Sequence, residues 1–66
     1  MLYSIRYEDE THKLIKVDKQ VLLHPFSLDD EIVIEGKHYL VVGYELDYNR
    51  SIQRVVVREM EVTTSI

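Results

Sequence analysis

Residues 30–46 read Asp30-Glu31-Ile32-Val33-Ile34-Glu35-Gly36-Lys37-His38-Tyr39-Leu40-Val41-Val42-Gly43-Tyr44-Glu45-Leu46, and this stretch decides the fold. Two β-branched, apolar segments flank Glu35-Gly36, and Gly36 supplies the positive φ that a tight hairpin needs. In the second arm Leu40, Val42, Tyr44 and Leu46 alternate onto one face, with Tyr39, Val41 and Gly43 on the other. A glycine in mid-strand predicts a bulge or sharp bend at Gly43, the device that closes small barrels. Apolar triplets recur along the chain: Val21-Leu22-Leu23, Ile32-Val33-Ile34, Leu40-Val41-Val42 and Val55-Val56-Val57. Successive strand residues point to opposite faces, so a triplet puts apolar bulk on both. One small sheet covers only one face by itself. The chain is therefore expected to curl into a barrel, to pair with a second copy of itself, or both.

The flanking segments agree. Tyr3, Ile5 and Tyr7 alternate with Ser4 and Arg6 as a half-buried first strand, and Glu8-Asp9-Glu10-Thr11 makes a polar turn. His12 to Val17 reads as a second strand with Ile15 and Val17 on one face and Leu14 on the other, broken by Asp18-Lys19-Gln20. Pro25 lacks an N–H, so residues 21–26 are an edge strand or a packed loop. Ser27-Leu28-Asp29-Asp30 resembles a capping box, but Gly36 follows too soon for a helix, and the segment reads as a turn into strand 31–34. Asp47-Tyr48-Asn49-Arg50 is the next turn. Residues 51–62 form the last strand, although Ile52, Val55, Val56 and Met60 also fit an amphipathic helix.

The expected fold is a single all-β domain over residues 1–66, a small barrel or curled antiparallel sheet of five to six short strands, with a helical C-terminal segment as the alternative. Residues 30–41, with an acidic turn, a short strand, a Gly-Lys turn and a strand opening at Tyr39, resemble the central hairpin of SH3-like small barrels. The resemblance is one of fold and carries no functional residue, because such barrels host many unrelated activities.

Composition narrows the function classes. A chain of 66 residues builds one modest core, and cysteine is absent, so neither a disulfide nor a thiolate metal site reinforces it. Oligomerisation remains, in keeping with the two-faced triplets. Neither a signal peptide nor a run near the roughly 18 apolar residues of a membrane span is visible, which points to the cytoplasm and away from membranes. The formal charge of −4 disfavours a dedicated nucleic-acid binder. There is no alanine and little glycine or proline, but abundant Ile, Lys, Asp, Glu and Tyr; this suits a low-GC genome such as a Gram-positive bacterium or its phage.

Candidate chemistry is sparse. His12, His24 and His38 share no i, i+2 or i, i+4 spacing that would set two metal ligands on one face, so no metal or other cofactor is implied. Consecutive acids at 8–10 and 29–31 match no calcium-loop pattern, and no nucleophile–base pair or phosphate loop stands out, so the chain reads as a non-enzyme. Arg50, Arg54 and Arg58, spaced by four, would line one side of a strand at steps of about 13 Å. With Tyr39, Tyr44 or Tyr48 nearby they could form a stacking platform for single-stranded nucleic acid. Tyr44, Glu45, Asp47 and Tyr48 form a candidate acidic-aromatic surface for a protein partner. Leu40, Val42, Val55, Val56, Val57 and Met60 are the candidate homodimer interface. The leading expectation is a homodimeric, non-catalytic protein-binding module, a phage or mobile-element protein that inhibits a host protein such as a component of antiviral defence. The alternatives are a nucleic-acid-binding barrel using the arginines, and a structural or assembly subunit of a virion or larger complex.

Overall fold

The computed structural model, described over residues 2–22 and 25–60, is one five-stranded sheet with no helix among the described residues. The strands are β1 (Tyr3–Glu8), β2 (Leu14–Val21), β3 (Glu31–Ile34), β4 (Lys37–Asp47) and β5 (Ile52–Glu59), in the spatial order β2-β1-β5-β4-β3. The sheet curls into an open half-barrel whose edges are β2 and β3. The all-β, curled, five-stranded expectation holds. Three of the four pairings are antiparallel, but β1 and β5 run parallel. The chain is thus a β1–β2 hairpin laid beside a β3–β4–β5 meander, with residues 22–30 linking one sheet edge to the other.

Turn chemistry sets the elements. Glu35 (φ 50°) and Gly36 (φ 81°) are both left-handed, the two-residue turn whose twist matches the flanking strands. At the first hairpin, Asp9 Oδ1 accepts from the Thr11 N–H (2.8 Å), the Thr11 hydroxyl (2.6 Å) and the Lys13 N–H (2.9 Å), while His12 takes φ 66°. Asp30 Oδ2 accepts from the Ser27 N–H at 2.9 Å, so residues 27–30 form the expected turn. β2 runs past the expected break at residues 18–20. Asp18 pairs with Ile5 and Val21 with Tyr3, so the ladder along β1 overrides the local polar signal. The apolar side chains at 55 and 57 point one way and Val56 the other, a period of two that makes residues 52–59 strand rather than helix. Leu23, His24 and the end of the expected last strand, residues 61–62, lie outside the described residues.

The core is Tyr3, Ile5, Ile34, Tyr39, Val41, Val55 and Val57, the three valines with 0% exposure. Phe26 packs onto it from the linker, edge-on to Tyr7 at 6.1 Å between centroids and tilted against Tyr44 at 5.9 Å. A bulge interrupts the β4–β5 ladder between Val41 and Gly43, where the glycine predicts one. Its consequence corrects the expected alternation. Val42 is the extra residue, so the core face carries Tyr39 and Val41 before the bulge and Tyr44 and Leu46 after it. A second irregularity, near Leu14, sets Ile15 against the core while Val17 pairs beside Arg6 on the outer face, so those two do not share a face as expected. Gln53, fully buried among apolar neighbours, donates from Nε2 to Tyr44 Oη at 2.9 Å.

The two glycines have different roles. A Cβ at Gly43 would sit 3.4 Å from Val56 Cβ, ordinary contact, whereas Gly36 has open space but a positive φ. Gly43→Ala is expected to leave stability unchanged or raise it by up to about 1 kcal/mol, and Gly36→Ala to lower it by about 1–2 kcal/mol. Urea unfolding of both variants checks this order.

Candidate functional site

The face of the sheet opposite the core carries an ion-pair lattice. Glu8 on β1 keeps 7% of its side chain exposed; its Oε2 accepts from Arg54 Nε at 3.1 Å and Arg6 Nε at 3.4 Å, and its Oε1 lies 3.6 Å from His12 Nδ1. Arg54 also reaches from Nη1 to Glu45 Oε1 at 3.0 Å. Glu8, His12, Tyr44, Glu45, Arg54 and Val56 line an open cleft here. Toward the far end, Arg58 binds Glu10 with two hydrogen bonds of 2.7 and 3.1 Å and His38 Nδ1 meets Glu31 Oε1 at 3.0 Å, while on the core side Lys37 faces Glu59 at 3.8 Å. Within the cleft each charged group faces an opposite charge, so its lining is electrostatically self-contained.

The sequence-predicted residues divide across this frame. Arg54 and Arg58 share the outer face of β5, but Arg50 sits in the β4–β5 turn, 3.9 Å from Asp47 Oδ2, so the expected three-arginine stripe is two strand residues and a turn residue. Tyr39 is buried on the core face, away from the arginines, whereas Tyr44 lines the cleft with Arg54 but spends its hydroxyl on Gln53. Among the expected interface residues, Val55 and Val57 are in the core, Leu40 and Val56 are half-buried on the outer face, Val42 is the bulge residue, and Met60 extends β5 with its N–H on the His38 carbonyl at 2.8 Å. Of the acidic-aromatic group, Tyr44 holds Gln53, Glu45 holds Arg54, and Asp47 Oδ1 accepts from the Arg50 N–H at 3.1 Å. Tyr48 alone is largely open, at 72% exposure. It shares one end of the sheet with Leu2 (52%) and Leu22 (73%), because Tyr3 pairs with Val21 and the Ser4 N–H bonds the Ser51 carbonyl at 2.9 Å. Sequence reasoning missed the roles of Leu2, Leu22 and Glu8; Leu22 read as the middle of an apolar triplet, and Glu8 as the first residue of a turn.

Of the histidines, His12 and His38 face carboxylates and His24 lies outside the described residues. Among the described residues no three His, Asp or Glu side chains gather as a metal site. Comparison with protein-family models, with curated proteins and with solved structures finds no match to this chain.

Two carboxyls at the hairpin tip titrate low. The Thr11 hydroxyl and then the Lys13 N–H hold Asp9 below the usual carboxylate range, and the Arg58 hydrogen bonds do the same for Glu10. Each group binds its proton less readily folded than unfolded. Its stabilisation is therefore complete above the ordinary range, about pH 4, and is lost as the pH falls through the lowered folded value. An Asp9→Asn, Glu10→Gln double variant is expected to show a flatter loss of thermal stability between about pH 5 and pH 2 than the parent chain, as melting curves across that range will report.

Proposed function

We propose that the chain is a non-catalytic protein-binding module that docks its partner on the end of the sheet where Leu2, Leu22 and Tyr48 stand exposed. The observation that carries this reading is the contrast between the two kinds of surface. The outer face spends its charges on itself, whereas these three large side chains extend into water. Exposed apolar and tyrosine side chains are what protein interfaces use, with tyrosine contributing area at low conformational cost. A nucleic-acid role needs cations free to replace counterions on phosphate, and Arg50, Arg54 and Arg58 each face a carboxylate. The low-GC composition fits an accessory protein of a phage or mobile element that acts in the cytoplasm by occluding a host protein.

Leu22→Ser combined with Tyr48→Ser tests the docking surface. Both side chains are largely exposed, so the melting temperature is expected to stay within a few degrees of the parent. Capture of the partner from host extract, resistant to nuclease and to high salt, is expected to fall at least tenfold. Capture that the double variant leaves unchanged, or that nuclease abolishes, contradicts the reading.

A further inference from the structure

The two open edges of the sheet carry opposite charge. The basic edge, residues 13–21, holds Lys13, Lys16 and Lys19 against Asp18, a sum of +3 − 1 = +2. The acidic edge, residues 28–36, holds Asp29, Asp30, Glu31 and Glu35 with no lysine or arginine, a sum of −4. Lys13 flanks β2 and Lys16 and Lys19 lie on it, while the acidic residues lie on or beside β3. We infer that the basic β2 edge of one copy pairs with the acidic β3 edge of a second copy.

Strand direction supports this pairing. β2 runs antiparallel to β1, β1 runs with β5, and β4 and β3 reverse in turn, so β2 and β3 point opposite ways. A two-fold axis along the strands keeps those directions. It brings β3 beside the partner's β2 as an antiparallel ladder, the stronger of the two kinds. The same axis brings the first copy's β2 beside the partner's β3. Because each sheet is a curled half-barrel, both edges of both copies are then used, and the assembly closes at two chains. Outward backbone groups exist to make the ladder. The two-residue turn at Glu35-Gly36 makes Ile34 and Lys37 a hydrogen-bonded pair, so Glu31 and Val33 direct their N–H and C=O away from β4. Consistently, the His38 carbonyl, opposite Val33, turns the other way to accept from Met60. Like charges exclude the competing arrangements: lysines meet lysines if two β2 edges pair, and carboxylates meet carboxylates if two β3 edges pair.

Two charge-reversed variants test the pairing. Lys16→Glu with Lys19→Glu takes the β2 edge from +2 to −2, so both edges are acidic. Asp30→Lys with Glu31→Lys and Glu35→Lys takes the β3 edge from −4 to +2, so both are basic. Light scattering after size exclusion is expected to give twice the 7.9 kDa chain mass for the parent, with the dissociation constant rising at least tenfold between low and high salt as the charges are screened. Each variant alone is expected to run as a monomer, and an equimolar mixture to recover the doubled mass. The mixture guards against misfolding, since neither variant could rescue the other unless both were folded. A parent that stays monomeric at millimolar concentration overturns the inference, as do variants that dimerise alone or a mixture that does not. Partner capture through Leu22 and Tyr48 is read separately, so failure here leaves that reading standing.

Discussion

The shared core and the ion pairs of the outer face both depend on the parallel ladder between β1 and β5. It aligns Ser4 with Ile52, Ile5 with Gln53, Tyr7 with Val55 and Glu8 with Val56, and it joins two units that are otherwise separate in the sheet. A two-stranded hairpin is marginal in water, and a three-stranded meander gains independent stability only with an apolar face that is covered. Side by side, the two units share Ile5, Val41, Val55 and Val57 in one core, and the linker sets Phe26 over it. The ladder also fixes the outer face. Glu8 and Arg54 meet only because β1 and β5 lie side by side in this register, although they are 46 residues apart in sequence.

Legibility in the sequence follows the range of the interaction. Glu35-Gly36 is readable because the turn lies in the dipeptide itself. The bulge is readable in place, since Gly43 marks it, but not in effect. Which residue is extra depends on the β5 partner, and that choice moves Tyr44 and Leu46 onto the core face with Tyr39 and Val41. The direction of β1 against β5 is invisible, because nothing local to Ser4 or Ile52 says which way the partner runs. The arginines illustrate the same limit at the candidate site. Their spacing is plain, but their counter-charges at Glu8 and Glu10 belong to a distant hairpin, so a stripe of free cations in the sequence becomes a set of ion pairs in the fold. Leu2 and Leu22 stand at a place where the sheet stops, and where a sheet stops is a property of the pairing rather than of either residue.

Charge is distributed by the same geometry. Pairs on the outer face cancel, whereas the sheet order sends the lysine-rich β2 and the carboxylate-rich surroundings of β3 to opposite edges. A net charge of −4 therefore conceals a dipolar sheet. Long-range electrostatics of this kind steers approach and orientation more than it sets affinity. Exposed Leu22 follows directly on β2 at the end of the basic edge, and exposed Tyr48 stands in the β4–β5 turn.

The measurement that bears most directly on this account is a solution NMR determination of the β1–β5 pairing. The account predicts a parallel pattern of inter-strand nuclear Overhauser contacts linking Ser4 to Ile52 and Arg6 to Arg54, with slow exchange of the Ser4 amide, whose hydrogen bond goes to the Ser51 carbonyl. An antiparallel pattern would contradict it, as would a freely exchanging Ser4 amide while the 34–37 hairpin stays protected.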